Sequence, residues 1–239
     1  MAKKVVILIV EGQCDETLLI DRLRELFAEQ DIRFEAQGGD ILYDIKNQKP
    51  IKDIVGDVVK KVLIKRKYKP TDILAVIQII DTDGCLIPED KILIDDSQEI
   101  KTLYKNECIS VPNEKQKYNI KIRNEVRSRN IHIMNSVRAI VSNKYNYQMF
   151  YFSRNLEHVL FDEPNPCDET KLDNIESFLD NLTQPIEDYL QQFIPALTKE
   201  SYDDQYVESW NKINQGIESL KRSTNIPLMI NYIKLITTE

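Results

Sequence analysis

Histidine is scarce in this chain, and its scarcity narrows the chemistry that the sequence supports. His132 and His158 are the only two histidines among 239 residues, and neither stands in a pattern typical of a catalytic triad. The four cysteines, at positions 14, 85, 108 and 167, are far apart and form no CxxC pair. The sequence therefore supports neither a serine or cysteine nucleophile nor a zinc site. It predicts reduced thiols in the cytoplasm.

Long apolar segments are also missing. Lys3 and Lys4 precede an apolar run, as in a signal peptide, but the run Val5–Val10 ends at Glu11. Such a run is too short for the core of a signal peptide or for a membrane span. We therefore expect a cytoplasmic protein with no membrane partner. No GxxxxGK[ST] motif occurs, so an ATPase partner, if one is used, is expected to be a separate chain.

The overall charge excludes a generic nucleic-acid binder. The net charge is −7, with 42% hydrophobic and 30% charged residues, which is the composition of a soluble protein with a substantial core. Any contact with phosphate must come from a local basic patch or from a metal ion. Basic residues cluster at 60–69 and 115–138.

Two apolar runs that end abruptly at acids organise the chain. Val5–Val10 is followed by Glu11, and Leu74–Ile80 is followed by Asp81-Thr82-Asp83-Gly84. Continuous apolar runs are typical of strands inside a parallel sheet covered by helices. With amphipathic helices and a short strand at 32–36 between them, the order is β-α-β-α-β. We predict an α/β protein with a Rossmann-like, mainly parallel sheet flanked by helices, and with acids at the sheet edge where ligands bind.

The rest of the chain is less regular. We predict an insertion at about 85–144, a helix at 120–141 and a further strand at 148–152. Helices follow at 169–193, 202–221 and 226–236, broken at Pro195 and Pro227. The predicted division is an α/β domain over residues 1–165 and a helical C-terminal region over residues 166–239.

The acids at the two strand ends have a structural explanation and a functional one. Glu11 could simply mark the wet edge of the sheet or cap the next helix, and Asp-Thr-Asp-Gly is good turn chemistry. Two such ends in one sheet are more informative together, because Asp81 and Asp83 share a side-chain direction if the chain is extended. Mg²⁺ suits carboxylate and water ligands. We predict a Mg²⁺ or Mn²⁺ site at Glu11, Asp81 and Asp83.

These residues also carry a resemblance. The segment VVILIVEGQCDETLL, then a helix, a GG turn, a second helix and VIQIIDTDG, resembles the Toprim domain of topoisomerases, bacterial primases and nucleases of the overcoming-lysogenization-defect type. That domain has a Glu, usually followed by Gly, after its first strand and Asp-x-Asp after its third. Glu11-Gly12 and Asp81-Thr82-Asp83 match these places. The resemblance covers about residues 4–84 and could extend to the strand at 148–152, and the long insertion departs from it.

The resemblance implies a Toprim-like fold and Mg²⁺-dependent phosphodiester chemistry. Asp81 and Asp83 would hold the metal, and Glu11 would be a further ligand or the acid/base. Asp15 matches the extra acid that stand-alone Toprim nucleases carry for a second ion, although a helix-capping Asp is the commoner explanation.

A second segment, SRNLEHVLFD, resembles a Ser-x-x-x-Glu stretch of stand-alone Toprim proteins linked to phage defence. Glu157 would complete the acidic pocket and Arg154 would contact phosphate, with exposed helix residues as the alternative. Lys65, Arg66 and Arg127 are further candidate phosphate contacts, for which solvated helix faces are an equal alternative. The insertion could select substrate, form a dimerisation arm that makes a homodimer, or be structural.

The function expected from all of this is a metal-dependent endonuclease that cleaves DNA or RNA, as the effector of a phage-defence system. Two alternatives stay open. Asp-Thr-Asp-Gly also resembles the nucleophile loop of haloacid-dehalogenase phosphatases, which implies a DxD metal-dependent phosphatase. A non-catalytic Toprim-like subunit would instead bind a partner through the helical tail.

Overall fold

The computed structural model describes residues 4–30, 32–43, 49–167 and 169–238. A five-stranded sheet lies at its centre, formed by β1 Lys4–Val10, β2 Ile32–Gly38, β3 Ile73–Asp81, β7 Ala139–Ile140 and β8 Tyr145–Phe152. These strands lie in the order β2-β1-β3-β8-β7. Four of them are parallel, and the edge strand β7 is antiparallel to β8. The predicted α/β architecture with a mainly parallel sheet flanked by helices is confirmed.

The order of the strands places a crossover point beside the acids. Helix α1, Gln13–Leu26, links β1 to β2, and helix α2, Ile51–Arg66, links β2 to β3 on the other side of β1. Right-handed crossovers in opposite directions place α1 and α2 on opposite faces of the sheet. The connections therefore diverge between β1 and β3, at the place where open α/β sheets bind ligands.

Within the described ranges, six more helices surround the sheet. They are α3 Glu114–Asn135, α4 Leu156–Phe161, α5 Lys171–Asn181, α6 Ile186–Gln191, α7 Tyr202–Ile213 and α8 Ile226–Thr238. Helix α3 contacts α2, α5 contacts α1, and α8 packs on α6, α7 and β8. The C-terminal helices share the core of the sheet, as Trp210 packs edge-on against Tyr151 with ring centroids 4.9 Å apart. None of the helices in the described ranges combines the length and the apolar character that crossing a membrane requires.

The segment between β3 and β8 forms a small sheet of its own. Strands β4 Ile92–Ile94, β5 Leu103–Tyr104 and β6 Ile109–Val111 have the order β4-β6-β5. A separate apolar cluster stabilises this sheet, and its buried members are Ile87, Ile92, Ile109, Val111, Ile120 and Leu220. Because Leu220 comes from the C-terminal region, the tail helps to hold this segment against the main sheet.

Several predicted helix bounds are different in the structure. Helix α3 begins at Glu114, six residues before the predicted start, because the Asn113 side chain caps it by accepting a hydrogen bond from the Gln116 amide at 2.9 Å. It ends at Asn135, before the edge strand β7. The helix predicted at 169–193 is two helices, since Pro185 begins the second one. Pro227 lies in the first turn of α8, where the missing N–H costs nothing.

Candidate acidic site at the carboxyl edge of the sheet

Two neighbouring strands deliver the first acids. Glu11 directly follows β1, and Asp81 is the last residue of β3, paired in the sheet with Phe152 of β8. Strands β1 and β3 run parallel side by side, so their carboxyl ends meet at one edge. Asp83 comes two residues after Asp81. The predicted convergence of these three residues at one edge is therefore what the topology produces.

The turn after β3 is fastened to the end of β8. The amide of Thr82 donates to the carbonyl of Phe152 at 3.0 Å, and the amide of Asp83 donates to the carbonyl of Arg154 at 2.8 Å. In return, the amide of Arg154 donates to the buried hydroxyl Oγ1 of Thr82 at 2.7 Å. Asp83 has a φ of 48°, in the left-handed region that a non-glycine residue rarely adopts. The neighbouring strand thus fixes the direction of this acid.

Gly84 completes the turn and has no room for a side chain. Its φ is +60°, and a Cβ atom there would lie 2.6 Å from Leu220 Cδ2. Glycine is the residue that combines this conformation with so close an approach. The turn that carries Asp83 is therefore pressed against the C-terminal region.

Two more acids reach the site from helix starts. The Gly12 amide donates to Asp15 Oδ2 at 3.0 Å where α1 begins. Glu157 lies in the first turn of α4, which Asn155 caps by accepting from the His158 amide at 2.7 Å. Both carboxyl side chains are buried. We refer to Glu11, Asp15, Asp81, Asp83 and Glu157 together as the acidic cluster.

The cluster is electrostatically crowded. Burial raises the pKa of Glu11 to about 8, with Asp83 adding to the rise and Arg127 opposing it. Burial also raises the pKa of Asp15 to about 7, with a further contribution from Glu157. The pKa of Asp81 lies well above its usual value, first because of burial and then because of four neighbouring carboxylates, the largest effect being that of Asp15. The five acids therefore influence one another, which is expected of like charges that share a site.

One internal cation already occupies part of the cluster. The Arg127 guanidinium, from α3, lies with Nη2 2.8 Å from Glu11 Oε1 and 3.5 Å from Asp83 Oδ2. Nη1 pairs with Asp40, which follows β2, and Nη2 also donates to the carbonyl of Asp81 at 2.7 Å. Only 1% of the Arg127 side chain is exposed. Arg127 thus forms ion pairs with two of the five acids and leaves Asp15, Asp81 and Glu157 outside its ion pairs.

The acidic cluster has the oxygen donors that a metal ion needs but not their arrangement. Carboxylate oxygens are the ligands of hard cations, and Oδ1 of Asp81 is buried without a hydrogen-bond partner. Yet within the ranges that the structure describes, no group of three or more His, Cys, Asp or Glu side chains is arranged to hold a metal ion. The physical reason at Glu11 and Asp83 is that both carboxylates face Arg127. The carboxylate oxygens thus suit a divalent cation, but the described acids are not arranged as a complete set of ligands.

The four predicted phosphate contacts are either buried within the protein or distant from the acidic cluster. Arg154 is fully buried and its Nη2 donates to the carbonyls of Leu220 at 2.5 Å and Lys105 at 3.0 Å, so its side chain is not placed to meet a phosphate. Arg127 is equally buried, in the ion pairs above. Lys65 and Arg66 stand in the last turn of α2, which returns to the amino edge of the sheet, and Arg66 pairs with Glu35 at 2.9 Å. These two residues are therefore far along the fold from the acidic cluster.

Sequence reasoning did not predict the contacts of four residues around the cluster. Asp40 pairs with Arg127, and its signal was its place after Gly38-Gly39 at the end of a third parallel strand. Arg123 donates to the Asp83 carbonyl at 2.8 Å, and its neighbour Asn124 accepts from it. Lys171 lies close enough to Asp15 to lower its pKa. For the last three the sequence offers no local signal, because their place depends on how α3 and α5 pack.

Fold and site together define an α/β protein with an acidic site at the crossover point of a parallel sheet. Comparison with models of protein families, with curated proteins and with solved structures finds no match.

Proposed function

We propose that the acidic cluster binds a divalent cation, Mg²⁺ or Mn²⁺, and that the protein is an endonuclease of the Toprim type that hydrolyses phosphodiester bonds in DNA or RNA. The observation that carries the proposal is the meeting of five carboxyl groups at the carboxyl edge of the sheet, with Asp81 Oδ1 buried and lacking a partner. Buried like charges need a cation to be stable in their ionised form, and Arg127 supplies a single positive charge.

Asp81, Asp15 and Glu157 are the residues that would hold the ion, because they lie outside the ion pairs of Arg127. Because no three of the acids are arranged as ligands, we expect ion binding to be accompanied by rotation of their side chains. A bound Mg²⁺ supplies a Lewis acid for a phosphoryl oxygen and lowers the pKa of a coordinated water. An ion at the predicted site of Glu11, Asp81 and Asp83 would have to displace Arg127 from Glu11 and Asp83, so one ion at the other three acids plus the guanidinium is the arrangement that we favour.

The roles of the protein residues follow from their contacts. Arg127 holds Glu11 in place through the 2.8 Å ion pair and keeps Asp83 turned towards it. Glu11 is the group that would exchange a proton with the attacking or leaving oxygen, as it lies at the rim of the cluster with its side chain 17% exposed. Arg123 holds the turn by donating to the Asp83 carbonyl at 2.8 Å.

A cleavage assay tests the proposal. Purified protein would be incubated with DNA and with RNA in Mg²⁺, in Mn²⁺ and in EDTA, alongside Asp81→Asn and Glu11→Gln. The matched control is Asp180→Asn, which makes the same change at an exposed position of α5. We expect Asp81→Asn to abolish cleavage and Glu11→Gln to slow it by roughly 10²–10⁴-fold, with Asp180→Asn unchanged. Equal cleavage by all four proteins would refute the assignment.

The ion pairs of Arg127 favour a second candidate function, a non-catalytic subunit. A cation built into the chain satisfies Glu11, Asp40 and Asp83 without any metal ion. If no cleavage occurs with either metal and a partner chain co-purifies, this alternative gains. Release of phosphate from small monoesters would favour the phosphatase alternative instead.

A further inference from the structure

A cavity of about 490 Å³ opens beside the acidic cluster, between the turn after β3 and helix α3. Its size lies within the range of pockets that take small molecules. Two of its lining residues connect it to the cluster. Cys85 comes two residues after Asp83, and Asn124 stands beside Arg123, which donates to the Asp83 carbonyl. The cavity and the acidic cluster therefore share a wall.

Asn124 brings an unpaired hydrogen-bond donor to this cavity. Its side chain is 6% exposed, and its Oδ1 accepts from Nε of Arg123 at 3.1 Å and from Nη2 at 2.8 Å. A guanidinium can only donate, so the amide oxygen must face Arg123 and the NH₂ group must point the other way. Nδ2 is buried and has no partner. A buried donor in that state is unfavourable, and an acceptor offered by an occupant of the cavity would satisfy it.

The other walls suit a flat, uncharged ring. Ile87, Ile92 and Ile122 form an apolar side, and the ring of Tyr118 is 63% exposed at the rim. Three charged residues also line the cavity. They are Glu89, Glu125 and Lys121, and the lysine already pairs with Glu89 at 2.6 Å. Two acids and one base leave a negative balance, which disfavours a phosphate in the cavity and tolerates a neutral ring with a polar edge.

We propose that this cavity takes one unstacked base of a single-stranded nucleic acid whose backbone runs across the acidic cluster. Tyr118 would stack on the base, and the Asn124 amide would donate to a ring nitrogen or carbonyl oxygen at its edge. Only an unpaired base can expose both a face and an edge to a protein in this way. This inference deepens the proposed nuclease function and rests on it for the position of the backbone, and it names the substrate as single-stranded DNA or RNA.

Equilibrium binding tests the proposal without requiring cleavage. Short 5′-labelled single strands of DNA and RNA would be titrated with the full chain in Ca²⁺, a hard cation that carboxylates bind, with fluorescence anisotropy as the readout. We expect Tyr118→Ala to weaken binding by roughly 5- to 150-fold, the loss typical of one stacked base, and Tyr118→Phe to retain it. Asn124→Asp keeps the acceptor for Arg123 and removes the donor, so binding should weaken about tenfold. The control Ile133→Ala, at an exposed position of the same helix, should bind normally.

Strands that carry an abasic residue at one position show which nucleotide places its base in the cavity. An abasic residue at one position should weaken binding by wild type as much as Tyr118→Ala does, and should cost nothing further in that variant. Unchanged binding by Tyr118→Ala, a loss spread evenly over all positions, or no binding by wild type would each overturn the proposal. Asp81-dependent cleavage that Tyr118→Ala does not affect would overturn the base site alone. A Tyr118 effect on binding without Asp81-dependent cleavage would overturn the catalytic proposal alone.

Discussion

Arg127 Nη2 lies 2.8 Å from Glu11 Oε1, although 116 positions separate the two residues in the chain. The same nitrogen lies 3.5 Å from Asp83 Oδ2. One side chain of α3 thus ties the segment between β3 and β8 to the ends of both acid-bearing strands. The acidic site and this inserted segment are therefore one structural unit, and a substitution in either should alter the stability of the other.

Replacing the buried cation should destabilise the fold. Arg127→Gln leaves Glu11, Asp40 and Asp83 without their counter-ion, and breaking a buried ion pair costs about 3–5 kcal/mol. We expect the free energy of unfolding, measured in urea, to fall by about 3 kcal/mol. This is near the lower end of the range, because the three carboxyl side chains are 17–39% exposed. Arg129→Gln, at an exposed position of the same helix, is the control and should change little. A loss as small as that of the control would mean that the ion pairs contribute nothing.

The stability of the ion-free protein should depend on pH. The pKa of Glu11 is about 8 and that of Asp15 about 7 in the folded protein, against roughly 4 for either residue type in an unfolded chain. Between about pH 4 and pH 8 these two residues bind more protons in the folded protein than in the unfolded chain. The free energy of unfolding in EDTA should therefore fall as pH rises through this range.

Two comparisons check the cause of that pH dependence. Glu11→Gln should flatten the upper part of the slope, because it removes the group with the higher pKa. Saturating Mg²⁺ should raise stability most above pH 7, where these acids are ionised. Urea melts at a series of pH values measure both effects, and a slope that neither Glu11→Gln nor Mg²⁺ alters would show that other groups cause it.

Adding a methyl group at Gly84, in the turn after β3, should lower the stability of the fold. Gly84→Ala combines a left-handed φ with a contact of 2.6 Å to Leu220 Cδ2. Gly216→Ala is the matched control, since its φ is +53° and nothing lies within 4 Å of the new Cβ. We expect the control to lose about 1–2 kcal/mol of stability because of its backbone conformation alone. Gly84→Ala should lose about 1–3 kcal/mol more because of overpacking. Equal losses in thermal or urea unfolding would mean that Leu220 moves aside freely.

Removing the cation at the far end of α2 should leave nucleic-acid binding intact. Lys65 lies in the last turn of that helix, at the amino edge of the sheet, whereas the acidic cluster lies at the carboxyl edge. In the anisotropy assay, Lys65→Ala should therefore bind like wild type at physiological salt. A large loss of affinity would show that the strand follows the basic segment at 60–69 instead of the inserted segment.

How far the sequence predicts this molecule depends on the range of the interactions involved. The apolar runs at Val5–Val10 and Leu74–Ile80 suffice for the parallel sheet and for the meeting of Glu11 with Asp81, because strand order fixes which ends are neighbours. Arg127 was singled out as a basic helix residue, yet nothing local indicates that it turns inward to Glu11. That contact depends on the packing of α3 on the sheet edge.

The same limit applies to Arg154 and to the cavity. Arg154 stands in a sequence context that suggests a phosphate contact, but the carbonyls of Lys105 and Leu220 hold its guanidinium in the interior. In the sequence, Asn124 is an ordinary polar residue of a long helix, and only the contact with Arg123 fixes the orientation of its amide. Both outcomes are decided by contacts between segments far apart in the chain.

The central claim is that the acidic cluster binds a divalent cation, and a Mn²⁺ titration followed by electron paramagnetic resonance tests it most directly. Wild type should bind Mn²⁺ in competition with Mg²⁺, Asp180→Asn should bind it equally well, and Asp81→Asn should lose the site. Identical Mn²⁺ binding by wild type and Asp81→Asn, or no binding by wild type, would contradict the claim.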